Sequence, residues 1–471
     1  MYINLRLTAL AVALAAAAAP AAAEDLMQIY DQARAADPTF AIADASRIVA
    51  DGGSDAARAA LLPQISASLD YTHDDGDSRS IGPLLDNNGV PVTDQAGNIV
   101  LDSSGKTTRN RSRQAQGQVT QSLFNWANIE RWRGARASRE GADSDYDAAA
   151  QDLIVRTATA YFAVLTAEDA LAFAQANEKA LARQLDQAEQ RYQVGLSAIT
   201  DVHEARANHD TARAQVITAQ NNVDTAREAI SQITNKDFGE LKKLREAVPL
   251  EKPEPAELQT WVDTALKQSP LIASKAHALD AAHFNVESQR AGHYPTLSAS
   301  LVRRDTPAWG NTTSIEGTNS FGPFHGNGLS GDTTIGVTLS VPIFTGGLVT
   351  AQLHQAIGQR DIAQDQAEQT RRGVIAGTRN AYRAVIAGIS EVEATKQAVV
   401  SAQSALDATQ AGFEVGTRTI VDVLLSQQQL FQAQSQYSQA RHQFVLSGLQ
   451  LKQSAGVVAA KDLEAVNGLL E

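Results

Sequence analysis

The chain has 471 residues, a formal net charge of −13 and no cysteine. Without cysteine it has no disulfide bonds, no thiolate metal site and no lipid-modified N-terminal cysteine, and its acidic balance argues against nucleic-acid binding, which needs a basic face. Aromatic residues make up only 5% of the chain, whereas alanine and glutamine are abundant. This composition is typical of long helices packed closely side by side.

The N-terminal 23 residues predict a secretory signal peptide. Arg6 precedes an apolar run over residues 7–19, and the alanines at 21–23 fit the small-residue rule for cleavage. The run is too short to span a bilayer, and no other stretch reaches the roughly 18 apolar residues that a membrane helix needs. The mature chain is therefore not predicted to be a helical inner-membrane protein.

The chain repeats itself, with matching pairs that keep their order at offsets near 220–232. Such self-similarity indicates two copies of one structural unit. Prolines between the copies break any helix and mark a connector. The sequence predicts a first repeat over 24–235, a connector over 236–256, a second repeat over 257–460 and a C-terminal segment over 461–471. The matching pairs are Asp37-Pro38 with Ser269-Pro270, Pro63-Gln64 with Pro295-Thr296, Leu123-Phe124 with Ile343-Phe344, Ala160-Tyr161 with Ala381-Tyr382, and Val194-Gly195 with Val415-Gly416.

Each repeat contains two segments in which apolar and polar residues alternate, the pattern of a β-strand. The alternation is strict over 65–72, 114–123 and 334–343 and less clean over 296–302. Strands of about nine to eleven residues with one apolar face fit a barrel that meets lipid outside and water inside. Half-buried strands of a soluble sandwich are the alternative. The signal peptide, the lack of further strands and predicted loops of about 30–40 residues favour the barrel.

Four strands cannot close a barrel, because the smallest barrels use eight. Three chains would supply twelve strands and leave room for an open lumen. This arithmetic alone points to a homotrimer.

The rest of each repeat predicts long helices. Apolar and small residues recur at three- and four-residue steps over 153–192 and 381–413, which is the seam of a coiled coil. Residues 124–190 as one helix would be about 100 Å long, a length that suits a duct across the periplasm. A glycine, Gly195 or Gly416, ends each long helix, and a new helix follows. We call the two helix–turn–helix units the first and second hairpins, with tips at 194–200 and 415–421.

Capping boxes are predicted where the chain re-enters a helix after each tip. Asp201 with Glu204, and Thr419 with Asp422, have the three-residue spacing that such a box requires.

The tips and two other segments resemble the TolC family of outer-membrane channels. The similar segments are 191–202, 413–424, 396–404 and 26–30, and the resemblance covers essentially the whole mature chain. It implies an α+β membrane protein in which three chains form a twelve-stranded barrel continued by an α-helical tunnel. It also implies a periplasmic adaptor and an inner-membrane efflux pump or ABC-type secretion transporter as partners. The chain would then be the exit channel for drug efflux or type I secretion.

The resemblance also assigns functional residues. In this family polar links between the two hairpins close the periplasmic mouth. The expected gate residues here are Gln184, Thr200, Asp201, Phe413 and Arg418, with phenylalanine at 413 where the family has tyrosine. Asp422 is the expected selectivity ring, and Leu425 stands where a second acidic ring would be. Adaptor tips are expected to dock on Val194, Gly195, Leu196, Val415, Gly416 and Thr417.

Other interpretations remain open at these positions. Asp201 and Asp422 are also good helix-start residues, because a carboxylate favours the positive end of the helix dipole. Gly195 and Gly416 are also ordinary turn residues. A structural or adhesive coiled coil at the cell surface and a soluble periplasmic binding protein are the rival functions. No nucleophile–base pair or paired catalytic carboxylates stand out, so the sequence predicts neither an enzyme nor a cofactor.

Overall fold

The computed structural model describes residues 23–316 and 324–471. The predicted signal peptide lies outside the described residues except for Ala23. Nine α-helices and four strands are described within these two ranges. The helices are α1 Leu26–Ala36, α2 Pro38–Ala59, α3 Trp126–Gln193, α4 Ile199–Thr234, α5 Leu258–Gln268, α6 Pro270–Arg290, α7 Leu348–Glu414, α8 Ile420–Ser454 and α9 Ala460–Asn467. The strands are β1 Gln64–Pro83, β2 Leu101–Phe124, β3 Thr296–Glu316 and β4 Phe324–Ser340.

The residues group into two compact units. The helical unit comprises the residues up to Asp51 together with Ala137–Asp280 and Asp361–Glu471, and the sheet unit comprises Gly52–Arg136 and Ala281–Arg360. The predicted combination of long helices with a small number of strands is present. Among the described residues, no helix carries a stretch that is both long enough and apolar enough to cross a membrane.

The sheet unit contains one four-stranded antiparallel sheet in the order β1-β2-β3-β4. Its register aligns apolar residues in a row across all the strands: Ile65 opposes Val119, Val119 opposes Leu301, and Leu301 opposes Ile335. Directly opposed residues share one face of a sheet. Ile65 and Ile335 are both 79% exposed, so this face is uncovered in the single chain.

The predicted strand lengths are wrong, and so is the prediction of loops of 30–40 residues. The strands have 17 to 24 residues, and the connection between β1 and β2 shortens to residues 84–100. The halves of the strands next to the β1–β2 and β3–β4 connections carry polar residues without alternation. The sequence pattern therefore does not predict them as strand. Pairing continues because the ladder uses backbone groups, and Asp75 opposite Arg109 adds an ion pair of 3.0 Å. β4 ends at Ser340 rather than 343, since Pro342 has no N–H to donate.

The core of the helical unit lies where the middle of α3 meets α1, α4, α8 and α9. Tyr161 and Leu153 are fully buried there, and Phe162 is nearly so. The Tyr161 hydroxyl donates to the Lys242 carbonyl at 2.8 Å, and burial raises the pKa of this phenol. One buried hydroxyl therefore ties the longest helix to the chain between α4 and α5.

The segment between α4 and α5 is irregular and pairs with the C-terminus. Lys243 and Glu471 exchange backbone hydrogen bonds of 3.0 and 2.9 Å, and Arg245 N donates to Leu469 O at 3.0 Å. Arg441 of α8 donates to the carbonyls of Leu244 and Arg245 at 2.9 and 2.6 Å. Backbone groups outside helices are thus satisfied by pairing across the chain, as buried polar groups require.

Candidate gate at the hairpin tips

The two hairpin tips share one turn geometry. Gly195 and Gly416 have φ angles of 77° and 80°, in the left-handed region that favours glycine. Leu196 N donates to Arg191 O at 2.8 Å and Gly195 N to Tyr192 O at 3.0 Å. The corresponding bonds at the second tip, from Thr417 N to Gly412 O and from Gly416 N to Phe413 O, measure 2.8 and 3.1 Å. Both long helices therefore end in a Schellman motif.

The side chains around these glycines face solvent. Val194, Leu196 and Val415 are 69%, 71% and 76% exposed, and Thr417 is also exposed. Exposed apolar side chains grouped at a tip are typical of a contact surface. The predicted docking residues are therefore accessible in the single chain.

The helices after the two tips begin differently. α8 has the predicted capping box, with Thr419 as N-cap and Asp422 as the reciprocal partner, and this prediction is confirmed. The predicted box of Asp201 with Glu204 is wrong. α4 begins earlier, at Ile199, with Ala198 as an N-cap that makes no side-chain bond. Asp201 is thus already inside the first helical turn, where it favours the positive end of the helix dipole.

The Asp422 carboxylate is held by the start of α8. Its Oδ2 accepts from Thr419 N and from the Thr419 hydroxyl, both at 2.9 Å. These hydrogen bonds, first from the backbone and then from the side chain, lower the pKa of Asp422, and the charge of Arg418 lowers it further. Asp422 therefore stays ionised at neutral pH. Leu425 lies almost one turn farther on and is 54% exposed.

Three of the predicted gate residues line one cavity between the two hairpins. The cavity measures about 330 Å³ and includes Asp201 from the first hairpin and Phe413 and Arg418 from the second. Thr200 and Gln184 do not line it. Thr200 is exposed, and the Gln184 Oε1 atom is buried without a hydrogen-bond partner among the described residues.

No hydrogen bond or ion pair joins Arg418 to Thr200 or Asp201 within the part of the single chain that the structure describes. Arg418 is exposed, and its charge acts on Asp422. The predicted link between the hairpins through Arg418 stays a prediction.

One contact between the hairpins was not predicted from the sequence. The guanidinium carbon of Arg191 lies 5.0 Å from the centre of the Phe413 ring, within the range of a cation–π interaction. Both residues line the cavity of the gate. Phe413 also packs against Leu181, Ile420 and Leu424. An arginine in the last turn of α3 looks like an ordinary partner of the helix dipole, so the sequence offers no signal of the stack.

Comparison with known proteins settles the family. The family model described as "Outer membrane efflux protein" matches residues 29–236 and 261–457. The chain belongs to the outer membrane efflux protein family. It is 37% identical over 454 residues to the outer membrane protein TolC of Escherichia coli strain K12, covering 95% of this chain and 85% of TolC.

Two further similarities extend the comparison. The chain is 27% identical over 350 residues to the alkaline protease secretion protein AprF of Pseudomonas aeruginosa, covering 74% of this chain and 70% of AprF. The fold resembles the crystal structure of the outer membrane protein VceC of Vibrio cholerae, with a TM-score of 0.70, 18% identity and coverage of 92% and 96% of the two chains. This member of the outer membrane efflux protein family is an outer-membrane exit channel, and the family is one of transport channels rather than enzymes.

Proposed function

We propose that three copies of the chain form the channel, each supplying four strands to a twelve-stranded barrel. The single observation that carries this proposal is the sheet with β1 and β4 as its edges. An open edge presents unpaired N–H and C=O groups, and within lipid every such group needs a partner. Joining β4 of one copy to β1 of the next removes both edges. The exposed apolar row through Ile65 and Ile335 would then face lipid.

Crosslinking in detergent tests the proposed trimer. A bifunctional reagent should give a species of three chains, and the purified protein should insert into a planar bilayer as an ion-conducting pore. A stable monomer in which β1 also pairs with β4 would contradict the proposal, because such a closed sheet would need no neighbouring edge.

The long helices of the two hairpins would continue the barrel as a tunnel in the periplasm. Each chain would contribute two copies of one unit, over 24–235 and 257–460, joined by the connector at 236–256 and followed by a C-terminal segment at 461–471. The two separate matches to the family, over 29–236 and 261–457, support this division. The exposed tips would meet a periplasmic adaptor, which joins the channel to an inner-membrane pump or ABC-type transporter.

The cargo is proposed to be small molecules, proteins or both. AprF is named for the secretion of an alkaline protease, which supports a role in type I secretion. We propose that the inner-membrane partner selects the cargo. Purifying the chain from its host under mild crosslinking and identifying the attached transporter would decide between efflux and secretion.

The Asp422 ring is predicted to give the entrance its preference for cations. Three carboxylates close together attract cations, although each raises the others' cost of ionisation. The hydrogen bonds from Thr419 that lower the pKa of Asp422 in the single chain oppose that cost. Asp422→Asn should reduce the cation-to-anion permeability ratio on the order of a few-fold and weaken block by polyvalent cations. The amide oxygen can still accept from Thr419, so α8 keeps its cap.

Asp407→Asn is the control for the Asp422 variant. Asp407 is an exposed acid on the same hairpin that accepts from Gln403 at 2.8 Å, and its loss removes the same charge away from the tip. Equal effects of the two variants would place the selective charge outside the entrance.

Arg418 is predicted to hold the mouth closed by reaching Thr200 and Asp201 once the chains assemble. Arginine suits this role because its planar fork makes two charge-assisted hydrogen bonds at once. Such a link near water contributes about 0–1 kcal/mol, and three copies together contribute up to roughly 3 kcal/mol. Arg418→Ser should therefore raise bilayer conductance. Unchanged conductance in a channel that still inserts would leave Arg418 as a helix-end residue only.

Phe413→Tyr should have the opposite effect from Arg418→Ser. A tyrosine hydroxyl can donate to Asp201 across the shared cavity, whereas Phe413 cannot. A hydrogen bond to a charged group contributes about 1.5–3 kcal/mol at most and less when exposed. Longer closed times in single-channel recordings are the expected result. Shorter or unchanged closed times would show that the ring position does not place a hydroxyl against Asp201.

A further inference from the structure

The contact between Arg191 and Phe413 joins the ends of the two hairpins within the chain. Arg191 is in the last turn of α3, and Phe413 is the penultimate residue of α7. Their separation of 5.0 Å from guanidinium carbon to ring centre places the cation against the aromatic ring. Within the described part of the chain, Arg191 makes no side-chain hydrogen bond or ion pair, and its guanidinium contacts the Phe413 ring.

Phe413 is anchored on its other sides by apolar packing. It belongs to the cluster of Leu181, Ile420 and Leu424, which joins the first hairpin to α8. It also contacts the cluster of Leu406 and Val423 inside the second hairpin. The Phe413 ring therefore packs into both hairpins and also contacts the Arg191 guanidinium of the first hairpin. If the second hairpin moved away from the first, the contact between Arg191 and Phe413 would be lost.

We propose that Arg191 is a positioning residue of the gate: its guanidinium stacks on Phe413 and holds the end of the second hairpin against the first in the closed mouth. The stack does not need the hydroxyl that is missing at 413, since the face of any aromatic ring attracts a cation. This inference rests on the proposed gating function. It adds a cation–π contact to the polar links expected from Arg418, Thr200 and Asp201.

Single-channel recording of a double-mutant cycle tests the stack. Arg191→Met keeps the apolar stem and removes the charge, and Phe413→Leu keeps apolar bulk and removes the ring. A cation–π contact at an exposed site corresponds to about a two- to five-fold change in an equilibrium constant. Each single variant should raise the ratio of open to closed time by about that factor per chain. The double variant should exceed the larger single effect by little, because both changes remove one contact.

Two further variants test whether the effect depends on a cation at this position. Arg191→Lys retains a cation over the ring and should restore much of the closed time. Arg183→Met, eight residues earlier on α3, removes an exposed arginine whose Nε donates to the Lys179 carbonyl of its own helix, and it should leave gating unchanged. The charge of Arg191 also stabilises the C-terminal end of α3 through the helix dipole. The double-mutant cycle, rather than the single variant, therefore shows whether Arg191 acts through Phe413.

Two results would overturn the inference. Additive effects of Arg191→Met and Phe413→Leu would mean that the two residues act independently. Unchanged dwell times for Arg191→Met would mean that the contact has no part in gating. Both outcomes require normal pores from the wild-type chain, which separates them from a failure of the proposed function: a wild-type chain that forms no pore would refute the channel itself.

Discussion

Replacing Arg156 by methionine is expected to destabilise the helical unit by about 3–5 kcal/mol. Arg156 on α3 binds both carboxylate oxygens of Asp37, at 2.8 and 3.3 Å, and its Nε donates to Asp152 at 2.6 Å. Asp37 is only 4% exposed. Methionine fills similar space but leaves a buried carboxylate without a counter-charge, and this is far more damaging than losing a surface ion pair.

The state of Asp37 supports this expectation. Burial would raise the pKa of Asp37, but the hydrogen bonds from the Arg156 side chain and the Phe40 backbone outweigh burial, so the pKa is lowered. Asp37 is therefore ionised in the folded protein at neutral pH. The same carboxylate accepts the Phe40 N–H at 2.9 Å, so it caps α2 as well as pairing with α3.

Thermal or chemical unfolding of the purified protein in detergent measures the effect. Arg372→Met is the matched control, because Arg372 pairs with Glu368 at 2.7 Å with its side chain 75% exposed, and such pairs contribute about 0–1 kcal/mol. Adding Asp37→Asn to Arg156→Met should recover part of the loss, since the amide is neutral and still accepts from Phe40. Equal stability of the two methionine variants would mean that Asp37 reaches water or another cation.

Local sequence patterns predicted the helices better than the strands. α3 and α7 are continuous because small and apolar residues recur along them at coiled-coil spacing, and that period is visible without knowing the fold. The strands beyond Thr72 and before Gln114 escaped notice because their pairing rests on backbone groups and polar side chains. The pair of Asp75 and Arg109 is separated by 34 residues, a distance over which no local period operates.

In the candidate site, too, local features were predicted from the sequence and contacts between distant segments were not. Gly195, Gly416 and the box of Thr419 with Asp422 are local features, and their spacing alone predicts them. The predicted capping box at Asp201 was wrong because the local sequence does not distinguish an N-cap aspartate from an aspartate in the first turn of the helix. The stack of Arg191 on Phe413 is a contact between distant segments. Arg156 with Asp37 is another, at a separation of 119 residues.

His442 on α8 is a buried histidine that the sequence also left unremarked. It is 3% exposed, and its Nδ1 lies 2.8 Å from the Thr166 hydroxyl. That hydroxyl donates to Phe162 O at 2.7 Å, so Nδ1 must carry the proton and donate to Thr166. The neutral His442 ring is packed in the protein interior, and its centre lies 5.6 Å from the centre of the Phe162 ring.

Burial lowers the pKa of His442 to about 4, with the charge of Asp169 opposing this shift and that of Arg441 reinforcing it. The unfolded chain has an ordinary histidine pKa near 6.5. Between about pH 6.5 and 4 its histidine is therefore protonated, whereas His442 in the folded chain is still neutral. Stability contributed by the neutral ring is thus intact above about pH 6.5 and falls progressively as the pH drops toward 4. The loss over this window amounts to about 3 kcal/mol per chain.

We therefore expect His442→Gln to flatten the acid side of the stability profile. Glutamine can still donate to Thr166 and does not titrate, so the difference in unfolding free energy between wild type and variant should change by about 3 kcal/mol between pH 7 and 4. Taking the difference cancels the carboxylates that titrate in the same range. His203→Gln, at an exposed position on α4, should leave the profile parallel to that of the wild type. A parallel profile for His442→Gln as well would mean that His442 accepts its proton in the folded channel, because the helices around it open to water before the chain unfolds.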